Sequence, residues 1–139
     1  VIPACRTFGL GVLVWSPLAS GFLSGKYRKD QPLPEGSRLA EWKDTFKRLG
    51  TERSWDLVER IVAVAEKHQT TAAAVALAWL IAKKEVSSVI LGARTTAQLD
   101  DNLRALDVKL DADDDKALDE ASAPDWAYPY GFIGRMQRW

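Results

Sequence analysis

The sequence predicts an α/β fold, a parallel sheet with helices packed outside it. Three observations carry that prediction. Residues 10–15 and 88–91 are short apolar runs rich in β-branched side chains; the stretch between them closes on two segments of helical periodicity; and a glycine turn joins the second run directly to another helix start. A strand, a connection containing helices, a second strand and a further helix form a β-α-β-α progression, because parallel neighbours need a crossover.

Residues 10–15 end at Ser16-Pro17, and proline removes the donor that would continue a ladder. Residues 16–52 carry Pro17, Gly21, Gly25, Pro32, Pro34, Gly36 and Gly50, so a long loop is expected, with a short helix near residues 41–48. A connection of that length is usually functional. Over residues 55–68 the apolar positions Trp55, Val58, Ile61, Val62 and Ala65 recur at helical spacing. A corner near Gln69 follows, and Thr70 or Thr71 can cap an Ala-rich helix over residues 72–84, apolar on nearly every face and so expected to be buried. After the second strand, Thr95-Thr96-Ala97-Gln98 has capping-box spacing, and Leu99, Leu103 and Leu106 continue a helix to about residue 105. Asp111, Asp113 and Asp114 open one more helix, which Pro124 stops. The aromatic tail from Asp125 to Trp139 is expected to be irregular and laid over an apolar surface.

Composition narrows the function classes. With 139 residues, 47% hydrophobic and 27% charged, the chain suits one globular domain. Nineteen basic residues balance nineteen acidic ones, so no overall field gathers nucleic acid or an anionic membrane. The longest apolar run, residues 72–82, has eleven residues, well short of the ~20 that span a bilayer. A lone Cys5 and a lone His68 offer neither a disulfide nor a structural zinc site, and a reducing, cytoplasmic setting is expected. The chain opens at Val1 and has its single methionine at Met136, so a fragment is expected. Both strands read as buried on two faces, which calls for neighbouring strands upstream.

Ligands of α/β folds bind beyond the carboxyl ends of strands. Gly92-Ala93-Arg94-Thr95-Thr96 sets a glycine, an arginine and a capped helix N-terminus after the second strand, a combination suited to phosphate and equally to plain turn geometry. His68 falls at a predicted helix C-terminus, where the dipole favours positive charge, and is read as structural.

Trp15-Ser16-Pro17-Leu18-Ala19-Ser20-Gly21, Ser24-Gly25-Lys26-Tyr27, Val89-Ile90-Leu91-Gly92-Ala93-Arg94 and Gln98-Leu99-Asp100-Asp101-Asn102-Leu103 resemble the C-terminal part of the aldo-keto reductase superfamily, nearest to the branch with the potassium channel β subunits and related bacterial reductases. The resemblance implies strands seven and eight of a (β/α)8 TIM barrel, with their helices and the C-terminal loop. It implies that Trp15 stacks on a nicotinamide ring, that Ser16, Pro17, Leu18, Ser20 and Gly21 line the pyrophosphate, and that Lys26 and Arg38 approach the phosphates. It further implies that Gly92 admits the backbone, that Arg94 binds an adenosine 2'-phosphate, and that Gln98, Asp101 and Asn102 reach the adenine. NADP is then the cofactor and a small carbonyl compound the substrate. The family's Asp, Tyr, Lys and His come from its N-terminal half, so no catalytic residue is assigned here and the isolated chain is expected to be inactive. Trp126 and Tyr128 are candidate walls of a substrate pocket. Two other classes compete: an NADP(H)-holding regulatory module of the β-subunit kind, and a helical structural domain without ligand.

Overall fold

The computed structural model describes residues 1–124 and 128–136. It opens on a helix that the sequence reading lacked, α1 (Ile2–Phe8), closed by Gly9 in the left-handed region at φ 64°. Pro3 in the first turn and Gly9 at the end were its only local signals, because α1 buries no residue and so shows no apolar periodicity. An ion pair from Arg6 to Glu85 ties α1 to the entry of the second strand.

Strands β1 (Val12–Trp15) and β2 (Val86–Ile90) pair in parallel, with Val14 opposite Val89 and Trp15 opposite Ile90. The crossover between them holds α2 (Arg38–Glu41), α3 (Lys43–Leu49), α4 (Glu52–Lys67) and α5 (Ala72–Ile81). Then follow α6 (Thr96–Leu103), α7 (Ala112–Ser122) and α8 (Tyr130–Met136). Within this chain one face of the two-stranded sheet is covered, and the neighbours expected to bury the other are not among its strands. Ala74, Leu77 and Ala78 of α5 pack with Val89 and Leu91 on one face of the sheet, whereas Leu13 is 63% and Trp15 81% exposed on the other. No described element covers that second face; along β1 the side chains alternate between half-buried and exposed, while β2 has Ser87 and Ser88 exposed in succession.

The long loop also needs correcting, because it is less irregular than its Gly and Pro content suggests. A 3₁₀ turn occupies Ala19–Ser24, and the backbone breaks at Trp42 to separate α2 from α3. Phe22, Tyr27 and Leu39 from this segment are buried against Trp55 and Val58 of α4. Rings organise this cluster: the Phe22 and Trp55 centroids lie 4.7 Å apart, and the Tyr27 hydroxyl accepts the Leu39 N–H at 3.3 Å. An aromatic core, with little periodicity to announce it, holds the loop in place.

The helical layer follows the sequence closely. Thr51 and Thr71 cap α4 and α5 by accepting the N–H of Ser54 and Ala74. Gln69, at φ 50°, makes the corner between them. Every residue from Ala72 to Ala78 is buried, and Ile61, Val64 and Ala65 meet Val75, Ala76 and Leu118 in the main cluster. The tail departs from expectation: α8 forms because Pro129 presets the helical start and its carbonyl accepts the N–H of Phe132 and Ile133, each at 3.0 Å. Tyr128, Tyr130 and Phe132 are exposed instead of lying on an apolar surface. Trp126 and Trp139 lie outside the described residues.

A polar clasp joins the C-terminus of α4 to the N-terminus of α7. Asp111 and Asp114 form a reciprocal capping box, Lys67 Nζ donates to Asp111 at 2.6 Å and to Asp114 at 2.8 Å, and His68 Nε2 lies 2.6 Å from Asp114. His68 is thus a structural residue at a helix end. Burial pushes the Asp114 carboxyl up, but hydrogen bonds from Lys67, His68 and the Asp111 backbone outweigh it and hold the group at about 2, below its ordinary 3.8. A depressed carboxylate contributes stability that is complete above the ordinary value and is lost as pH falls through the folded one. The midpoint of thermal unfolding should therefore decline between about pH 4 and pH 2, and the decline should be shallower in Asp114→Asn. Equal pH slopes in the two proteins would remove the clasp from the account of stability.

Candidate functional site at the strand ends

Because Trp15 pairs with Ile90, both strands finish at one edge and the segments after them leave side by side. Trp15 ends β1 with its indole largely in solvent, an uncommon state for a strand-terminal tryptophan. The backbone then takes left-handed conformations at Ser16, Ala19, Ser20 and Gly21, three of them consecutive. Non-glycine residues in that region cost about 1–3 kcal/mol each and gather where a ligand or turn demands them. Hydrogen bonds hold the strained turn, since the Leu18 carbonyl accepts the N–H of Gly21 at 2.9 Å and of Leu23 at 3.2 Å. The Leu18 and Leu91 side chains, from the segments after the two strands, both pack against the cluster of Ala74, Leu77, Ala78 and Ala105.

Three cationic side chains lie on the segments that follow the two strands. Lys26 folds back over the turn: its Nζ lies 5.0 Å from the Tyr27 ring centroid, and a Cβ placed on Gly21 would come within 3.2 Å of it. Glycine suits position 21 for its φ of 88°, and the Lys26 side-chain end packs close over it. Arg38 is exposed on α2, its guanidinium 5.4 Å from the ring centroid of Trp42. Beside it, Ser37 is buried with an Oγ that finds no partner among the described residues. Arg94 is exposed between Gly92 and α6.

On α6, Thr95 caps the helix by accepting the Gln98 N–H at 3.2 Å. The expected capping box does not close on Thr95; Gln98 Oε1 takes the Arg94 N–H instead, at 2.9 Å. Asp101 pairs with Arg104 at 3.8 Å, one turn on, and Asn102 is buried. Gly92 has open space around its Cβ position, so no close approach within the chain explains it. Trp42 was missed as Arg38's stacking partner. Its i, i+4 spacing was a usable signal, but only with α2 already placed. A hollow of about 430 Å³ between α5 and α7 is lined by none of these residues. Among the described residues no group of three His, Cys, Asp or Glu side chains could hold a metal ion, and no helix is long and apolar enough to cross a membrane.

The fold and site define an α/β segment in which two parallel strands end beside a strained turn and a capped helix. The chain belongs to the aldo/keto reductase family, whose profile matches residues 1–123. It is similar to the Uncharacterized oxidoreductase YrpG of Bacillus subtilis, at 41% identity over 113 residues, covering 80% of this chain and 32% of that protein. A probable voltage-gated potassium channel subunit beta of Arabidopsis thaliana is 39% identical over 77% of the chain and 33% of its own length. The NADH-specific methylglyoxal reductase of Escherichia coli is 33% identical over 81% of the chain and 34% of its own length. The chain thus spans about a third of the length of the curated relatives it matches.

Proposed function

We propose that residues 12–15 and 86–90 are strands seven and eight of a (β/α)8 barrel, that the chain grips NADP(H), and that the whole protein is a cytoplasmic oxidoreductase acting on an aldehyde or ketone. The observation that carries this reading is the exposed Trp15 indole at the end of β1, followed by a turn of left-handed residues, with an arginine before a helix N-terminus after the neighbouring strand. A flat indole face can define one side of a nicotinamide ring. Lys26 and Arg38 supply positive charge near the turn, and the unpartnered Ser37 Oγ is a desolvated polar atom that a phosphate oxygen would satisfy. The residues therefore suit a dinucleotide. When bound, that cofactor gives or takes the hydride; this chain binds and orients it and contributes no proton donor to the reaction.

Cofactor choice falls to Arg94. One relative's name specifies NADH, so membership in the family does not decide between the two dinucleotides. A guanidinium at this place, joined by helix N–H groups, favours the extra dianion of NADP(H). The purified whole protein should oxidise NADPH in the presence of an aldehyde. Tryptophan fluorescence should be quenched on NADPH addition, and Trp15→Ala should lose most of that quench while weakening NADPH and NADH alike. Turnover without any change in the Trp15 contribution would sink the stacking assignment. A second reading, a regulatory NADP(H)-holding module, draws on the channel-subunit name of a relative; it predicts binding and quench with no turnover.

A further inference from the structure

We propose that α7 is an electrostatic latch for the C-terminal segment: ion pairs hold it against α4 and α5, and screening them releases it as one unit while those two helices stay folded. The cofactor reading has no part in this. Two observations lead there. First, the apolar grip of α7 is slight. Leu118 is its only apolar side chain larger than alanine, and Leu118 and Asp114 are its only buried residues. In α5, by contrast, every residue from Ala72 to Ala78 is buried. The hollow of about 430 Å³ between α5 and α7 takes away further contact at Ala78, Ala82 and Ala112. One buried leucine is a small anchor for a helix, and segments with few buried apolar contacts are the ones that open short of global unfolding.

Second, the charges across the seam are sorted by sign. At one end Lys67 donates to Asp111 and Asp114, and His68 Nε2 meets Asp114. At the other, Lys83 Nζ donates to Asp115 at 2.8 Å and to Asp119 at 2.7 Å, and Trp79 Nε1 donates to Asp119 at 2.8 Å. In these bonds every acceptor belongs to α7 or its cap, and every donor to α4, α5 or the residues just after them. Arg53, Asp56 and Arg60 of α4 also border Glu120, and Lys109 borders the hollow. Residues 111–122 carry six acidic side chains and one lysine, so α7 has almost no cations of its own to replace those it leaves. Each partly exposed pair is weak alone and sensitive to salt. Because all share one polarity, salt weakens them together. The eleven residues of α7 are too few to keep a helix in water, so a released α7 loses its amide protection. The chain from Ala123 onward, α8 included, then loses its root.

Hydrogen exchange on the whole protein, read at single residues, tests the latch. Raising sodium chloride from about 0.05 M to about 1 M should speed exchange of residues 115–122 about ten-fold, all of them alike, and leave residues 75–81 of α5 unchanged. Lys83→Met keeps the stem and removes the charge. It should speed the amides beside Lys67 as much as those beside Lys83, by about three- to ten-fold. Lys67→Met should do likewise, and the double variant should lose most of the salt response. Leu118→Ala should open α7 further yet retain that response, since it removes no charge. The latch is overturned by an α7 that ignores salt, or by a double variant that keeps the full response. An α5 response of equal size would show the whole layer unfolding together, and acceleration confined to the turn beside the substituted lysine would show fraying; either result also overturns it.

Discussion

Arg94→Ala in the whole protein is expected to reduce the preference for NADPH over NADH by about 10- to 100-fold, the range of hydrogen bonds to a charged group. The effect should come almost entirely from weaker NADPH binding. Arg94 is exposed and its hydrogen bond to Gln98 uses the backbone N–H, which alanine retains. The substitution should therefore leave thermal stability within about 0.5 kcal/mol, as for most surface changes. Raising the salt concentration should shrink the wild-type preference, because a guanidinium in solvent is screened, while the alanine variant should respond less. An unchanged preference at low salt would place the 2'-phosphate, if it binds at all, somewhere other than this turn.

Phe22→Ala is expected to destabilise the chain by about 3–5 kcal/mol, the usual loss for a fully buried phenylalanine. Phe22 has 0% exposure and touches three ring systems, with centroids 4.7 Å to Trp55, 6.4 Å to Tyr27 and 6.5 Å to Phe46. Rings on several sides cannot collapse into the space left, so the cavity cost adds to the lost transfer energy. Against a total of about 5–15 kcal/mol, that is a large share. Urea unfolding should show a lower midpoint with the slope preserved. Phe8, 74% exposed, supplies the control: Phe8→Ala should shift the midpoint little. A Phe22→Ala loss below about 1 kcal/mol would mean that the loop is not anchored by this cluster. Since the same cluster holds the 3₁₀ turn beneath Lys26, the variant should also weaken both dinucleotides together.

The helices most legible in the sequence were those with one apolar side or a capping residue. Val58, Ile61 and Ala65 of α4 lie on the face that is buried, and Thr71, Thr95 and Asp111 cap the helices expected of them. Each signal acts within a few residues of itself. α1 escaped notice because it buries nothing, and α8 because aromatic and proline content suggested irregularity where Pro129 starts a turn. The anchoring of the long loop depends on Phe22 meeting Trp55, a contact between residues far apart in the chain, and no local spacing reports it.

The candidate site divides in the same way. Residue types at the strand ends were legible: an aromatic followed by Ser-Pro, a glycine followed by an arginine and a capped helix. Their adjacency was implied by the β-α-β order, because parallel strands end at one edge. Only the tertiary structure decided which groups are already committed. Gln98's oxygen is taken by Arg94, Asp101 is paired with Arg104, Asn102 is buried, and Lys26 is folded over Gly21. Local sequence thus determined the helices, their caps and the parallel pairing, since those depend on backbone hydrogen bonds and short-range periodicity. Partner choice among polar side chains, and which sheet face remains open, depend on distances across the folded chain, and these exist only after the core has closed.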